Sequence, residues 1–137
     1  MTRFTKTTAL AAAAAAVMAI AQPAPAAAQG LPSFCNNTLF LNSVYANIRS
    51  DGRTAEVDYH AQFQNRDPQG RVMTATMAAL ERIGHFQVLR PLGSFTLNAY
   101  EQRDHRFLTV HVNHPGGQGA PSAAEVARQL RFACSFR

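Results

Sequence analysis

Ala55-Glu56-Val57-Asp58-Tyr59-His60-Ala61-Gln62-Phe63-Gln64 alternates apolar and polar residues without a break. Side chains on a strand point to opposite faces in turn, so this stretch predicts a long strand with one face in a core and one towards water. Just upstream, Val44, Ala46 and Ile48 alternate with Tyr45, Asn47 and Arg49, and Ser50-Asp51-Gly52-Arg53 joins the two runs. An Asp-Gly pair supplies the positive φ angles of a tight turn, so the two runs predict a hairpin.

The two-residue period recurs downstream. Arg66-Asp67-Pro68-Gln69-Gly70 is a turn by composition, because proline presets one φ and glycine accepts another. Val72 to Leu80 follows as a strand, with Ala78-Ala79-Leu80-Glu81 able to begin a helical turn. Phe86 to Leu89 forms a short strand. Phe95, Leu97 and Ala99 alternate next, then Leu108, Val110 and Val112 against Phe107, Thr109 and His111. His114-Pro115-Gly116-Gly117-Gln118-Gly119-Ala120-Pro121 is a loop. Ser122 and Glu125 have capping-box spacing, which predicts a short helix from Ala123 to about Arg128. Leu130, Phe132, Cys134 and Phe136 then resume strand alternation. Short strands at roughly ten-residue spacing predict a mainly β domain: a small antiparallel sandwich, or a barrel, with one short helix near the C-terminus.

Two segments, Val57 to Asn65 running into a Pro/Gly turn and Leu89-Arg90-Pro91-Leu92-Gly93-Ser94-Phe95 entering a strand, give the chain its resemblance to immunoglobulin-like and fibronectin type III-like modules of exported proteins. That resemblance implies a two-sheet architecture and no particular function. It has departures: the chain lacks tryptophan, and its two cysteines sit near the two ends of the domain instead of on facing central strands.

The N-terminus reads as a secretory signal. Met1 to Thr8 carries Arg3 and Lys6 and no acid, Ala9 to Ala21 is apolar, Pro23 and Pro25 break any helix, and Ala26-Ala27-Ala28 offers small residues for cleavage before Gln29. The apolar stretch falls short of the ~20 residues a spanning helix needs. Residues 1–28 are therefore expected to be a cleaved signal peptide and 29–137 a single exported β domain, periplasmic or secreted, with no transmembrane segment in the mature chain. An oxidising compartment then predicts that Cys35 and Cys134 pair.

Charge excludes one class of partner. Of thirteen Lys and Arg residues against eight acids, the signal holds Arg3 and the single lysine, Lys6. The remaining arginines are dispersed along the chain, without the basic cluster and interleaved aromatics of a nucleic-acid binder, so no nucleic acid is expected.

Five histidines are candidate metal ligands: His60, His85, His105, His111 and His114. His111 and His114 are the strongest pair, but zinc or copper needs three or four converging donors, and these two would point to opposite faces of an ideal strand. Asp58 and His60 share a polar strand face about 7 Å apart without a third group, and Gly93-Ser94 is not a nucleophile elbow. Asn36-Asn37-Thr38 matches a glycosylation acceptor, useful only in a eukaryotic secretory host. No catalytic residue and no cofactor are expected. The expected function is a non-catalytic binding or structural interaction module for a protein or another envelope component. Its recognition surface is placed in the loop of His114, Gly116, Gly117, Gln118 and Gly119, since binding loops ride on rigid sandwiches. The alternatives are a periplasmic copper- or zinc-handling protein and, after it, a small hydrolase or enzyme inhibitor.

Overall fold

A computed structural model describes Ala26–Ala27 and residues 30–137. The expected signal peptide lies outside the described residues except for Ala26–Ala27, which form a two-residue strand, β1, against Ser43 and Val44. Cleavage after Ala28 would remove that strand from the mature chain.

The remaining strands are β2 (Ser33–Phe34), β3 (Leu39–Ser50), β4 (Ala55–Asn65), β5 (Met73–Met77), β6 (Arg82–Ile83), β7 (Phe86–Gln87), β8 (Ser94–Leu97), β9 (Gln102–Val112) and β10 (Phe132–Phe136), with one helix, α1 (Ala123–Gln129). The pairs are antiparallel. A five-stranded sheet runs β1-β3-β4-β9, with β2 also on β3, and a three-stranded sheet runs β10-β5-β8. The described residues are thus mainly β, sandwich-like with two sheets, and hold a single short helix near the C-terminus. The two-sheet layering is the architecture expected, and the cysteines, on the segment after β2 and on an edge strand, are not on facing central strands.

The predicted hairpin is β3–β4. Asp51 closes its turn: the carboxylate accepts from the Arg53 and Thr54 amides at 3.0 and 2.7 Å and from the Thr54 hydroxyl at 2.8 Å. Gly52 takes the positive φ of +94° that the turn demands. β3 begins earlier than the alternation suggests, because Asn42 is an extra residue between Leu41 and Ser43 in the register. The bulge switches the inward positions from Leu39 and Leu41 to Val44, which hides a continuous strand behind a broken period.

A second bulge corrects the reading of β9. Tyr59 pairs with Leu108 but His60 with Arg106, so Phe107 is the extra residue. Phe107 and Leu108 are both fully buried, where strict alternation put them on opposite faces. The strand also extends through the charged stretch Gln102–Arg106, whose polarity conceals it.

The two sheets meet over an aromatic cluster. Phe63 of β4 lies 4.9 Å from Phe95 of β8 and 5.6 Å from Phe132 of β10, and Phe34 of β2 lies 4.9 Å from Phe132. Burying each such ring contributes about 1.5–3 kcal/mol. Beside this cluster Cys35 and Cys134 form a disulfide with Cα atoms 5.9 Å apart, tying the segment after β2 to β10, an edge strand of the smaller sheet. Cys35, Asn36 and Asn37 all have positive φ near +55° to +60°, a left-handed turn that Asn tolerates better than most residues. Ser122 and Glu125 complete the expected capping box, and α1 lays Val126 and Ala127 into the core.

Candidate functional site

The end of the molecule around the Gly-rich loop is built by three elements. The first is the loop itself. β9 ends at Val112, and two turns follow: Gly117 N donates to His114 O at 3.0 Å, and Ala120 N to Gly117 O at 3.2 Å. Gly117 is buried at φ +69°, and a Cβ there would meet Ile48 and Val57 at 3.3–3.4 Å. Its place in the recognition loop is therefore that of an anchor facing the sheet. Gly119, at φ +84°, faces open space. The far end is fixed by the buried Tyr59 hydroxyl, which donates to Pro121 O at 2.7 Å; burial, then the charge of Glu125, pushes that phenol up to about 12.

The second element is the β6–β7 hairpin. Gly84 at φ +58° turns the chain, Ile83 plugs it into the core, and His85 packs on Phe86 at 4.1 Å between ring centroids. A bridge from Val88 to Val110 and the bond from Leu89 N to Thr109 O at 2.8 Å seat it beside β9. The third element is the end of β9, which presents His111. Between them lies an open cleft of about 410 Å³, lined chiefly by Arg82, His85 and Gln87 of the hairpin, His111 of β9, and His114 and Gln118 of the loop.

The strand face predicted to carry His111 and His114 on opposite sides does not extend that far. Because β9 stops at Val112, the turn brings His114 back to the same cleft as His111, and the hairpin adds His85. His114 Nδ1 accepts from Gly116 N at 3.1 Å, and His111 Nε2 lies 3.0 Å from Asn113 Oδ1. Among the described residues, no three His, Cys, Asp or Glu side chains are placed to hold a metal ion. His105 is elsewhere, over Phe95 at 4.8 Å with its Nε2 buried and unpaired; burial, followed by the charge of Arg103, lowers its pKa.

The outer face of β3, β4 and β9 uses its polar residues internally. Asp58 is 7% exposed. Its Oδ2 accepts from Arg49 Nε at 2.6 Å, and its Oδ1 accepts from Arg49 Nη2 at 3.0 Å and Thr109 Oγ1 at 2.5 Å. The Arg49 guanidinium, above all, holds Asp58 below the usual carboxylate range. His60 turns to different partners, stacking on Tyr45 at 4.8 Å with Nδ1 3.3 Å from Asp104. Asp58 and His60 therefore share a face but engage different partners, and both Asp58 oxygens are occupied.

Sequence reasoning found His111, His114 and the loop but missed Arg82, His85 and Gln87 as their neighbours. The signal was Ile83-Gly84-His85-Phe86, a glycine turn between two-residue strands too short to show alternation. No protein-family model matches the chain, and no curated protein or solved structure matches it. Among the described residues no helix is long and apolar enough to cross a membrane.

Proposed function

We propose that this chain is an exported precursor whose domain, residues 29–137, serves in the periplasm or outside the cell as a non-catalytic binding module. It engages a protein or another envelope component through the cleft between the β6–β7 hairpin and the loop after β9. The carrying observation is that three separate elements converge there on a disulfide-tied sandwich and turn polar side chains towards open space. The pairing of Cys35 with Cys134 suits an oxidising compartment. The polar outer face, by contrast, has most of its charged groups engaged with each other.

Site-specific photocrosslinking tests the reading. A crosslinker at Gln118 should capture one recurrent envelope partner in the producing cell, while the same crosslinker at Gln62, on the outer face of β4, should not. Equal capture from both sites, or capture from Gln62 alone, contradicts it. Export is checked separately by intact mass, expected to start at Gln29 within two residues; a soluble cytosolic chain starting at Met1 contradicts export.

The histidines support a second reading, a copper- or zinc-handling protein, because His85, His111 and His114 line one cleft. Elemental analysis of the purified protein decides: one zinc or copper per chain, lost on replacing His111 and His114 together, would favour this reading over the first.

A further inference from the structure

We infer that the cleft recognises an oxyanion, the phosphate or carboxylate group of its ligand. The inference rests on the cleft being the recognition surface, and it adds the chemistry of what is recognised. The polar lining side chains include Arg82, His85, Gln87, His111, His114 and Gln118, beside the apolar Phe86 and Val112, and among the described residues no Asp or Glu lines the cleft. Every one of those polar side chains carries a donor group, although that of His111 is engaged by Asn113 Oδ1, 3.0 Å from its Nε2. Arg82 is exposed, and among the described residues no carboxylate lies within ion-pair distance of it. Its planar fork is the geometry that fits an oxyanion with two parallel bonds.

His114 sharpens the point. A neutral imidazole has one donor and one acceptor nitrogen. Nδ1 accepts from the Gly116 amide, so it carries the lone pair and Nε2 carries the hydrogen. The nitrogen left for a ligand is then a donor, suited to an anion. For Nε2 to ligate a metal the hydrogen would have to move to Nδ1, and the Gly116 bond would be lost. Acids stand beside the cleft on two sides: Glu81 adjoins Arg82 in the chain and shares a neighbouring hollow with Arg82 and Gln87, and beyond His111 Asp51 and Glu56 line a separate cleft. The latter two are occupied: Asp51 closes the hairpin turn, and Glu56 pairs with Arg49 at 2.7 Å and Arg90 at 3.4 Å. The charge of Glu56 is countered by two arginines and Asp51 is held by neutral donors of its own turn, and neither lines the donor-bearing cleft, which stays available to an anion.

The test is a titration of the purified protein with inorganic phosphate at constant ionic strength in chloride, followed by amide NMR. A parallel titration uses acetate, to separate phosphate from carboxylate as the source of the oxyanion, and a third uses zinc. Saturable shifts are expected at His85, Asn113 and Gln118 with at least one of the two anions. Arg82→Gln should weaken that binding about tenfold, as expected for loss of a charged hydrogen-bond donor. Arg53→Gln, which removes an exposed arginine from the hairpin turn, should leave affinity unchanged, and both variants should keep the native melting temperature. Shifts spread evenly over the arginines, no saturation with either anion, or saturation by zinc alone would overturn the inference. If both anions fail while a Gln118 crosslinker still captures its partner, the binding-module reading stands and the oxyanion assignment falls.

Discussion

Two connections in this molecule share turn-forming residues and have opposite uses. Asn65 to Arg71 and Asn113 to Pro121 each combine Asn, Pro and Gly. The first is folded inward. Asn65 is fully buried, its amide donates to Arg71 O at 2.8 Å and to Asn98 O at 3.1 Å, and its carbonyl oxygen accepts from Asp67 N at 3.0 Å. Asp67, 1% exposed, accepts from Arg71 Nε at 2.9 Å and Nη2 at 3.1 Å. This knot locks the end of β4 to the start of β5 and the end of β8. The second connection spends two anchors, Gly117 and the Tyr59–Pro121 bond, and leaves His114 and Gln118 facing the cleft. Turn composition marks where the chain reverses; where the polar groups find partners decides whether the turn holds the fold or faces a ligand.

The contrast breaks most sharply at Asn65. Asn65→Ala strands the buried Asp67 amide and removes the donor to the carbonyls of Arg71, Leu97 and Asn98, and should cost about 3 kcal/mol, a drop in melting temperature of roughly 10 °C or more by calorimetry. A loss under about 1 kcal/mol would mean that water replaces the side chain and the knot is dispensable. The anchor of the open loop should come next. Gly117→Ala forces a Cβ at φ +69° against Ile48 and Val57, for an expected loss of about 1–2 kcal/mol by denaturant titration. No loss there would make the whole loop a free connector.

Acid acts on the first connection. Hydrogen bonds from Arg71, chiefly, hold Asp67 below the usual carboxylate range. The stability this supplies is fully present above the unfolded carboxylate pKa and is lost as pH falls through the lower folded value. Arg71→Gln should therefore be less stable than the native chain at about pH 6, and the difference should shrink as the pH is lowered towards about 2. A gap that stays constant with pH would show that Arg71 acts by its stacking on Phe136, 4.3 Å from its guanidinium, and not through the carboxylate.

These differences also mark what a sequence can convey. The β3–β4 hairpin was legible because five consecutive apolar positions from Ala55 to Phe63 repeat every two residues and an Asp-Gly turn precedes them. Ser122 and Glu125 announced α1 because both halves of a capping box are local. Cys35 and Cys134 could be paired from their number and expected compartment. The bulges at Asn42 and Phe107 were not legible, since one inserted residue shifts the period and looks like its end. The Asn65 knot was read as a plain turn because its partners, Asn98 and Leu97, lie more than thirty residues away. The cleft stayed half-hidden for the same reason: the loop names His114 and Gln118, but only the fold brings Arg82 and His85 beside them.

If recognition at the cleft is separable from the stability of the sandwich, one variant shows it directly. Arg82→Ala, His85→Ala and Gln118→Ala combined remove three exposed side chains from the cleft, each change expected within about 0.5 kcal/mol of neutral. The melting temperature of the triple variant and its partner capture, read from a crosslinker at Asn113, should be measured on the same preparation. A melting temperature within a few degrees of native and the loss of capture are expected. Capture that persists at native strength, or a domain that unfolds, would contradict that separation.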